Sequence, residues 1–316
     1  MDNNIYLHTM KKQFTKFSEN IRLTENQEKD AKTKYTGVCT TLHNSYYDNK
    51  YDGKTKFLFG SYKTRTNTRP LSENQDVDVL FKIPEETYNK YKDYEGNGPS
   101  ALLQEVKKIL KKTYTTTDEI KGWGKIVLVK FTDNKHNVEV LPAYELKDRT
   151  YKIPNSENGG SWDNFDPREQ VNTFLDSNSK TDLLTADLTR MMKTWVKNTS
   201  SLDYKSYTLL NHIMDFLKSN YKKGAAYSDY HFVIRDCFSY LKKNCDSSLD
   251  SHLETAYNRA VKACNFISED KPKEASLEWR KIFGNEFPLV KESPATESET
   301  RVFTSPSSPY ASYNFK

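Results

Sequence analysis

Cysteine is scarce in this 316-residue chain, and its four copies, Cys39, Cys237, Cys245 and Cys264, include no CxxC pair. That argues against a disulfide framework and against the closely spaced ligand sets of zinc modules. His231 lies near Cys237 and Cys245 in sequence, so a zinc site there is conceivable, but buried helix positions are the plainer reading. No apolar run reaches 18 residues, so no membrane-spanning helix is expected. The opening segment, MDNNIYLHTMKKQF, lacks the apolar stretch of a signal peptide. A cytoplasmic protein with reduced thiols is the expectation. There is little charge of one sign: 48 basic residues against 43 acidic leave +5, which fits nucleotides as well as nucleic acid as a partner. Basic residues are dispersed among acidic ones with no continuous stripe, so no obligatory nucleic acid is expected. No internal repeat stands out.

Aromatic residues are plentiful. The 21 Tyr, 16 Phe and 4 Trp argue against disorder across the chain, and the length suggests two lobes. The most informative stretch is FLFGSYKTRTNTRPLSENQDVDVLFKI, residues 57–83. An apolar run ends at Gly60-Ser61; after a basic connection a second apolar run carries Asp76 and Asp78. In a strand, residues i and i+2 share a face, ~6.5–7 Å apart. The two aspartates therefore project together while Val77, Val79 and Phe81 face a core. Like charges this close repel, and a divalent cation is the simplest partner that makes the arrangement favourable.

The surrounding periodicity is clear. Leu7, Met10, Phe14, Phe17 and Ile21 mark an amphipathic helix, and Thr24 with Gln27 reads as a capping box opening a second, through Tyr35, Val38 and Leu42. Pro84 stops the DVDVLF strand, and Pro99-Ser100 opens a helix with Leu103, Val106 and Leu110 on one face. KIVLVKF and NVEVL, residues 125–131 and 137–141, read as a β-hairpin closed by Pro142, with Glu139 on the face opposite Val138 and Val140. Residues 155–167 have a loop's composition and mark the expected lobe boundary. Beyond it the pattern is helical to about residue 284, with helices marked by Leu183–Trp195, Leu209–Leu217, Tyr230–Leu241, Leu253–Phe266 and Pro272–Phe283. The organisation expected is a catalytic lobe over 1–165 that includes the leading helices, a helical lobe over 166–290, and a mobile Ser/Thr/Pro-rich tail over 291–316.

Taken as one site, Gly60-Ser61, Asp76, Asp78 and Glu139 suit phosphate chemistry. Gly60 lets the backbone approach a ligand, and Ser61 offers a hydroxyl and an amide to phosphate oxygens. Three carboxylates on adjacent strands suit two Mg²⁺ ions, one activating an attacking hydroxyl and one bridging the triphosphate and its leaving group. A third carboxylate also suits orienting or deprotonating that hydroxyl. Hard oxygen donors favour Mg²⁺ over zinc, with Mn²⁺ able to substitute. Nucleotidyl transfer from an NTP is the reaction class that follows.

The order of these motifs resembles the DNA polymerase beta-like nucleotidyltransferase superfamily. Within it, FGSYKTRTNTRPL, DVDVLF and VEVLPAY resemble the bacterial cGAS/DncV-like nucleotidyltransferases, the CD-NTases, and the closing LEWRKIFGNEFPL is similar to the end of several members. The resemblance covers about residues 10 to 290. It implies an α+β fold, a polymerase beta-like mixed sheet lobe plus a C-terminal helical lobe. It also implies an enzyme that joins NTPs into a cyclic di- or trinucleotide second messenger, releasing pyrophosphate, in anti-phage (CBASS) defence. ATP is one expected substrate; the second base stays open, as do ring size and linkage. Operon-encoded regulators and an effector acting through the product are the implied partners. Carried over, Asp76, Asp78 and Glu139 are the acidic triad, with Glu where many members carry Asp. The resemblance also sets Lys193 and Ser206 against the donor triphosphate. From the residues alone, Lys193 can also be read as a solvated charge and Ser206 as a helix N-cap. Arg65 and Arg69 read either as phosphate or base contacts or as solvated loop residues. Two alternatives remain: a nucleotidyltransferase acting on RNA, protein or a small molecule, and a catalytically silent binding module on the same fold.

Overall fold

Thr24 separates the first two helices. In the computed structural model, which describes residues 3–71, 75–133, 135–221 and 229–290, α1 spans Asn3–Ile21 and α2 spans Glu25–Tyr46. The Gln27 N–H donates to the Thr24 hydroxyl at 3.3 Å, and the Thr24 N–H donates to the Gln27 side chain at 2.9 Å, the reciprocal cap expected from the sequence. A short strand, β1 (Lys56–Leu58), then runs into a single helical turn, α3 (Gly60–Thr64). The acid-bearing strand is β2 (Asp76–Lys82). Two helices follow, α4 (Glu85–Lys92) and α5 (Gly98–Thr113), the second capped by Asn97, which accepts from the Ser100 N–H at 2.9 Å.

Next come β3 (Glu119–Trp123), β4 (Ile126–Lys130), β5 (Asn137–Glu145), β6 (Tyr151–Asn155) and β7 (Ser161–Phe165). The sheet order is β1-β2-β5-β4-β3, with β6 paired to the far end of β5 and β7 to β6. Only β2 and β5 among these described neighbours run parallel. The remaining helices are α6 (Pro167–Lys180), α7 (Leu184–Asn198), α8 (Ser206–Asn220), α9 (Tyr230–Asn244), α10 (Asp250–Ser268) and α11 (Pro272–Phe283). The α+β class expected from the sequence is the class observed.

Strand alternation divides the sheet chemically. Val77, Val79, Phe81, Val138, Val140, Val127 and Val129 form one fully buried face, covered by Val38 and Leu42 of α2 and by Leu103, Val106 and Leu110 of α5. The opposite face carries the acids and a smaller apolar cluster built on Leu80, Leu141, Ala143, Tyr151 and Ile153. The helices α7 to α11 bury a separate core around Trp195, Phe238 and Trp279.

Four expectations need correction. First, α1 does not join the sheet core: Met10, Phe14, Phe17 and Ile21 are buried among α7–α11, with Phe14 edge-on to Trp279 at 5.5 Å and to Phe287 at 5.2 Å. The helical pattern of α1 gave its apolar face but not the face's partner. Second, Pro142 does not close β5, which continues to Glu145. The Ala143 carbonyl accepts from Ile83 at 2.9 Å, so odd-numbered residues of β5 bond toward β2 and Pro142 points its missing N–H the other way. On that side the β4 pairing has ended at Val140 and the β6 pairing begins at Tyr144, so no ladder bond is lost. Third, residues 155–167 are not simply a loop: they contain the turn and second strand of the β6–β7 hairpin. Fourth, Leu183 does not lie within a helix; it is the left-handed residue that precedes α7, and it is exposed. The expected tail, 291–316, lies outside the described residues.

The aromatic seat of α1 gives a test. Phe14→Ala should destabilise the protein by about 3–5 kcal/mol, the range for truncating a buried Phe, as measured by chemical denaturation.

Candidate active site

The parallel pairing of β2 with β5 sets Asp78 directly opposite Glu139 and Asp76 opposite Asn137. Neighbouring strands lie about 4.8 Å apart, so the three carboxylates share one face, back to back with the valine core. Each is only partly exposed. Burial, and then the Asp76 charge, push the Asp78 carboxyl up to about 6, against the pull of Lys193. Burial, then Asp76 and Asp78, push Glu139 up to about 7. Asp76 is raised by burial and held back by a hydrogen bond from the Asn137 amide, 3.1 Å from Oδ1. Asn137 was not anticipated from the sequence, yet the signal was available: two residues before Glu139, it falls on the same strand face.

The acids fit hard divalent cations by chemistry, since they are oxygen donors carrying negative charge that nothing nearby neutralises in full. As arranged, they share a face without closing into a coordination shell, and no other group of three His, Cys, Asp or Glu does so among the described residues. The conceivable zinc site at His231, Cys237 and Cys245 is therefore not formed. Cys237 is buried in the helical core, and Cys245 lies 3.1 Å from the Tyr204 hydroxyl and 3.3 Å from Nδ1 of His212.

Gly60 packs against this face. Its φ of +61° lies in the left-handed region, and a Cβ there would collide with Oδ2 of Asp78. The next residue, Ser61, accepts a hydrogen bond from Nζ of Lys193 at 2.7 Å, and Nζ lies 3.4 Å from the Thr66 hydroxyl. Lys193 thus reaches from α7 to α3. Burial, then Lys197, with Arg190 adding and Asp78 opposing, lower its ammonium to about 8. One turn earlier, Arg190 pairs with Asp187 and donates to the Arg65 carbonyl at 2.5 Å, while Arg22 bonds Asp187 at 2.6 Å. This network ties α7 to the loop that follows α3.

A cleft of about 520 Å³ opens beside these groups, lined by Gly60, Ser61, Asp78, Lys193, Ser206 and Tyr207, among others. That is within the usual size of small-molecule sites, about 300–1,000 Å³. Of the predicted site residues, Gly60, Ser61, Asp78, Lys193 and Ser206 line the cleft; Asp76 and Glu139 lie next to Asp78 on the sheet face. Ser206 is not an N-cap: Lys205 holds that position, and no side chain caps α8. Arg65 and Arg69 do not line the cleft. Arg69 donates to the Glu19 carbonyl at 2.8 Å and so packs on α1. Tyr207, Gln170 and Phe165 also line the cleft, though no sequence pattern marked them.

The crowding of carboxylates predicts a pH-dependent cost. A folded-state pKa raised to about 6 means the Asp78 charge is disfavoured on folding, a penalty absent below the ordinary carboxylate range and accumulated as pH rises to about 6. Without divalent ions, Asp78→Asn should be more stable than the parent, with the gain growing by about 1 kcal/mol between about pH 5 and about pH 7.5 in denaturation experiments.

Comparison with known proteins agrees with this geometry. The family profile for the Second Messenger Oligonucleotide or Dinucleotide Synthetase domain matches residues 9–178. A Bacillus cereus (strain VD146) protein described as "Probable cyclic nucleotide synthase" is 23% identical over 282 residues, 75% of this chain and 83% of the relative. A Salmonella paratyphi B protein described as "Probable cyclic AMP-AMP-GMP nucleotide synthase" is 22% identical, over 94% of this chain and 96% of the relative. Among solved structures, Vibrio cholerae DncV in its 3'-deoxy ATP bound form superposes with a TM-score of 0.66 at 16% identity, covering 85% of this chain and 92% of that one. The profile spans more than half of the chain and includes both acid-bearing strands and the Gly60-Ser61 turn; the chain belongs to the Second Messenger Oligonucleotide or Dinucleotide Synthetase family, the CD-NTases, with their α+β nucleotidyltransferase fold.

Proposed function

We propose that this protein condenses nucleoside triphosphates into a cyclic di- or trinucleotide with release of pyrophosphate, using two divalent cations. The observation that carries the reading is the meeting of opposite chemistries at one cleft: the Asp76, Asp78 and Glu139 face on one side of the Gly60-Ser61 turn, and the Lys193 ammonium bonded to Ser61 on the other. The names of the two curated relatives and the 3'-deoxy ATP bound to DncV support the substrate class.

In this reading a ribose hydroxyl oxygen of one NTP bonds to the α-phosphorus of another, the bond to the β-phosphate oxygen breaks, and pyrophosphate leaves. Lys193 and the Ser61 and Ser206 hydroxyls hold the triphosphate. Gly60 keeps the turn close enough to Asp78 for the phosphates and the acids to meet. Asp76, Asp78 and Glu139 would hold the cations, Mg²⁺ by donor hardness with Mn²⁺ as a substitute; when bound, these supply Lewis-acid activation of the hydroxyl and neutralise charge on the leaving pyrophosphate. Glu139, on the strand beside them, is also suited to orient the hydroxyl or take its proton. No described helix is long and apolar enough to cross a membrane. The proposal sets the enzyme in the cytoplasm, its product acting as a second messenger on an operon-encoded effector in anti-phage defence.

Incubation with all four NTPs and Mg²⁺ should yield a phosphatase-resistant cyclic product by mass spectrometry, and Asp76→Ala/Asp78→Ala should cut its rate by about a thousandfold or more. Equal product from that double variant would sink the assignment. Gly60→Ala should lose activity comparably while folding normally, because its Cβ displaces the Asp78 carboxylate. A third expectation concerns pH. The Lys193 cation is present below about 8 and lost above it, so triphosphate affinity in titration calorimetry should fall as pH rises through that value, and Lys193→Ala should flatten the dependence.

A further inference from the structure

A second recess lies at the other end of the acid-bearing sheet face. It has a volume of about 630 Å³, and six cationic residues line it, Lys54, Lys56, Lys82, Lys147, Arg149 and Arg168. Apart from Lys56, they converge from separate elements: the approach to β1, the end of β2, the β5–β6 turn and α6. Two carboxylates answer them. Asp52 pairs with Lys54 at 2.7 Å, and Glu145 is shared between Lys82 at 2.9 Å and Arg168 at 3.0 Å. The Lys56 ammonium is engaged elsewhere, 5.1 Å from the Tyr35 ring centroid and 3.5 Å from the Thr36 hydroxyl of α2; among the described residues, Lys147 and Arg149 have no carboxylate partner. Asp148, although adjacent in sequence, accepts from the backbone and hydroxyl of Thr150 within its own turn. In a chain whose charges otherwise nearly balance, this is a local excess with a concave shape.

The recess is separate from the cleft. Lys82 stands four residues beyond Asp78 on the same strand, about 13 Å away along it, and the Leu80–Leu141 cluster fills the face between them. The two cavities share no lining residue. The aromatic residues of the recess are already engaged. Arg168 stands 5.1 Å from the ring centroids of both Phe57 and Tyr151, those rings pack with the small apolar cluster, and Tyr144 stacks on Tyr88 at 4.5 Å. No ring is left as a platform for a base, so the site reads charge. Guanidinium and ammonium groups gathered in a concave space match phosphate oxygens in geometry and charge.

We propose that this recess is a second anion site, outside the candidate active site, that takes an oligophosphate: two or three linked phosphate groups, free or borne on a nucleotide. The convergence of the cations on one hollow, rather than along a stripe, favours a compact anion over a polynucleotide backbone. The first turn of α6 joins the two cavities, because Arg168 lines the recess while Glu169 and Gln170 line the cleft. An anion that draws Arg168 from Glu145 therefore acts on a helix that also walls the nucleotide site.

The test is titration calorimetry of the full chain with inorganic tripolyphosphate, in low salt and without divalent ions, to limit screening and chelation. Three proteins are compared: the parent, Lys193→Ala to disable the cleft, and Lys193→Ala combined with Lys147→Glu and Arg149→Glu. The side chains of Lys147 and Arg149 are exposed and without ion-pair partners among the described residues, so without ligand the triple variant should unfold at the same temperature as Lys193→Ala alone. The Lys193→Ala protein should retain one binding event, and the two charge reversals should weaken it by about tenfold or more. ATP in place of tripolyphosphate separates the two sources: equal affinity means that the phosphate chain is what is read. Loss of all binding in Lys193→Ala, or equal binding after the charge reversals, would overturn the proposal. So would a DNA duplex binding the Lys193→Ala protein where tripolyphosphate does not, which would make this face a polynucleotide surface.

Discussion

The parallel register of β2 against β5 is the constraint on which the rest depends. It fixes Asp78 opposite Glu139 and leaves Asp76 two residues away on the same face. A slip of β2 by one residue would turn Val77 and Val79 outward and Asp76 and Asp78 into the core. The valine-rich face against α2 and α5 therefore does two jobs at once: it buries the sheet's apolar surface, and it forces three carboxylates into proximity on the other side. Burial and mutual repulsion both raise Asp78 and Glu139. Hydrophobic packing elsewhere offsets this electrostatic cost, a pattern expected where strain serves chemistry rather than stability.

The second half of the site arrives from a different hydrophobic core. Lys193 lies on α7, whose inner face packs with α1 and the later helices, yet its ammonium bonds Ser61 beside the sheet. Its reach is not left to chance. Arg190, one turn before, is tied through Asp187 to Arg22 and holds the Arg65 carbonyl at the end of α3. Arg69 adds a further tie, bonding the last turn of α1 by backbone and side chain. Of the two arginines in the connection after Ser61, which the sequence left as phosphate or base contacts or as solvated loop residues, Arg65 is exposed and lends only its carbonyl, whereas Arg69 commits its side chain to α1. A charged residue in a loop beside a cleft can act by fixing the loop.

What was legible in the sequence follows from where the physics is local. The Thr24–Gln27 cap, the α1 and α5 stripes and the alternation in DVDVLF and NVEVL depend on neighbours within a few residues, and each was readable. Pairing partners are not local, so the seat of α1 among α7–α11 could not be read from its own pattern. The strand β7 carries little apolar alternation, pairs only with β6 and has no fully buried residue, so composition made it a loop. Pro142 misled for a related reason: its effect depends on which edge its missing N–H faces, and that is set by where β4 ends. The acids were legible because two carboxylates inside an apolar strand are unexplained by folding alone. Lys193 became a candidate only through family resemblance, since a lysine between core residues looks like any solvated charge until its partner across the cleft is known.

One face of the sheet thus carries opposite charge at its two ends, with an apolar plug between. At the Asp76 end, carboxylates are gathered beyond what pairing can satisfy; at the Lys82 end, cations are. The plug of Leu80, Leu141, Tyr151 and Ile153 has little area compared with the main cores, and stability alone would not demand charged clusters at its borders. It does hold the two clusters about 13 Å apart along the strand, beyond ion-pair contact. Without it, Lys82 and Arg168 would be natural partners for the crowded acids. With it, Glu145 occupies Lys82 and Arg168 locally, and the acids keep the unmet charge on which the proposed cation binding rests. The separation of charge along this face is therefore part of how the fold prepares its chemistry, and β2, which carries Asp76 and Asp78 at one end and Lys82 at the other, is the element that enforces it.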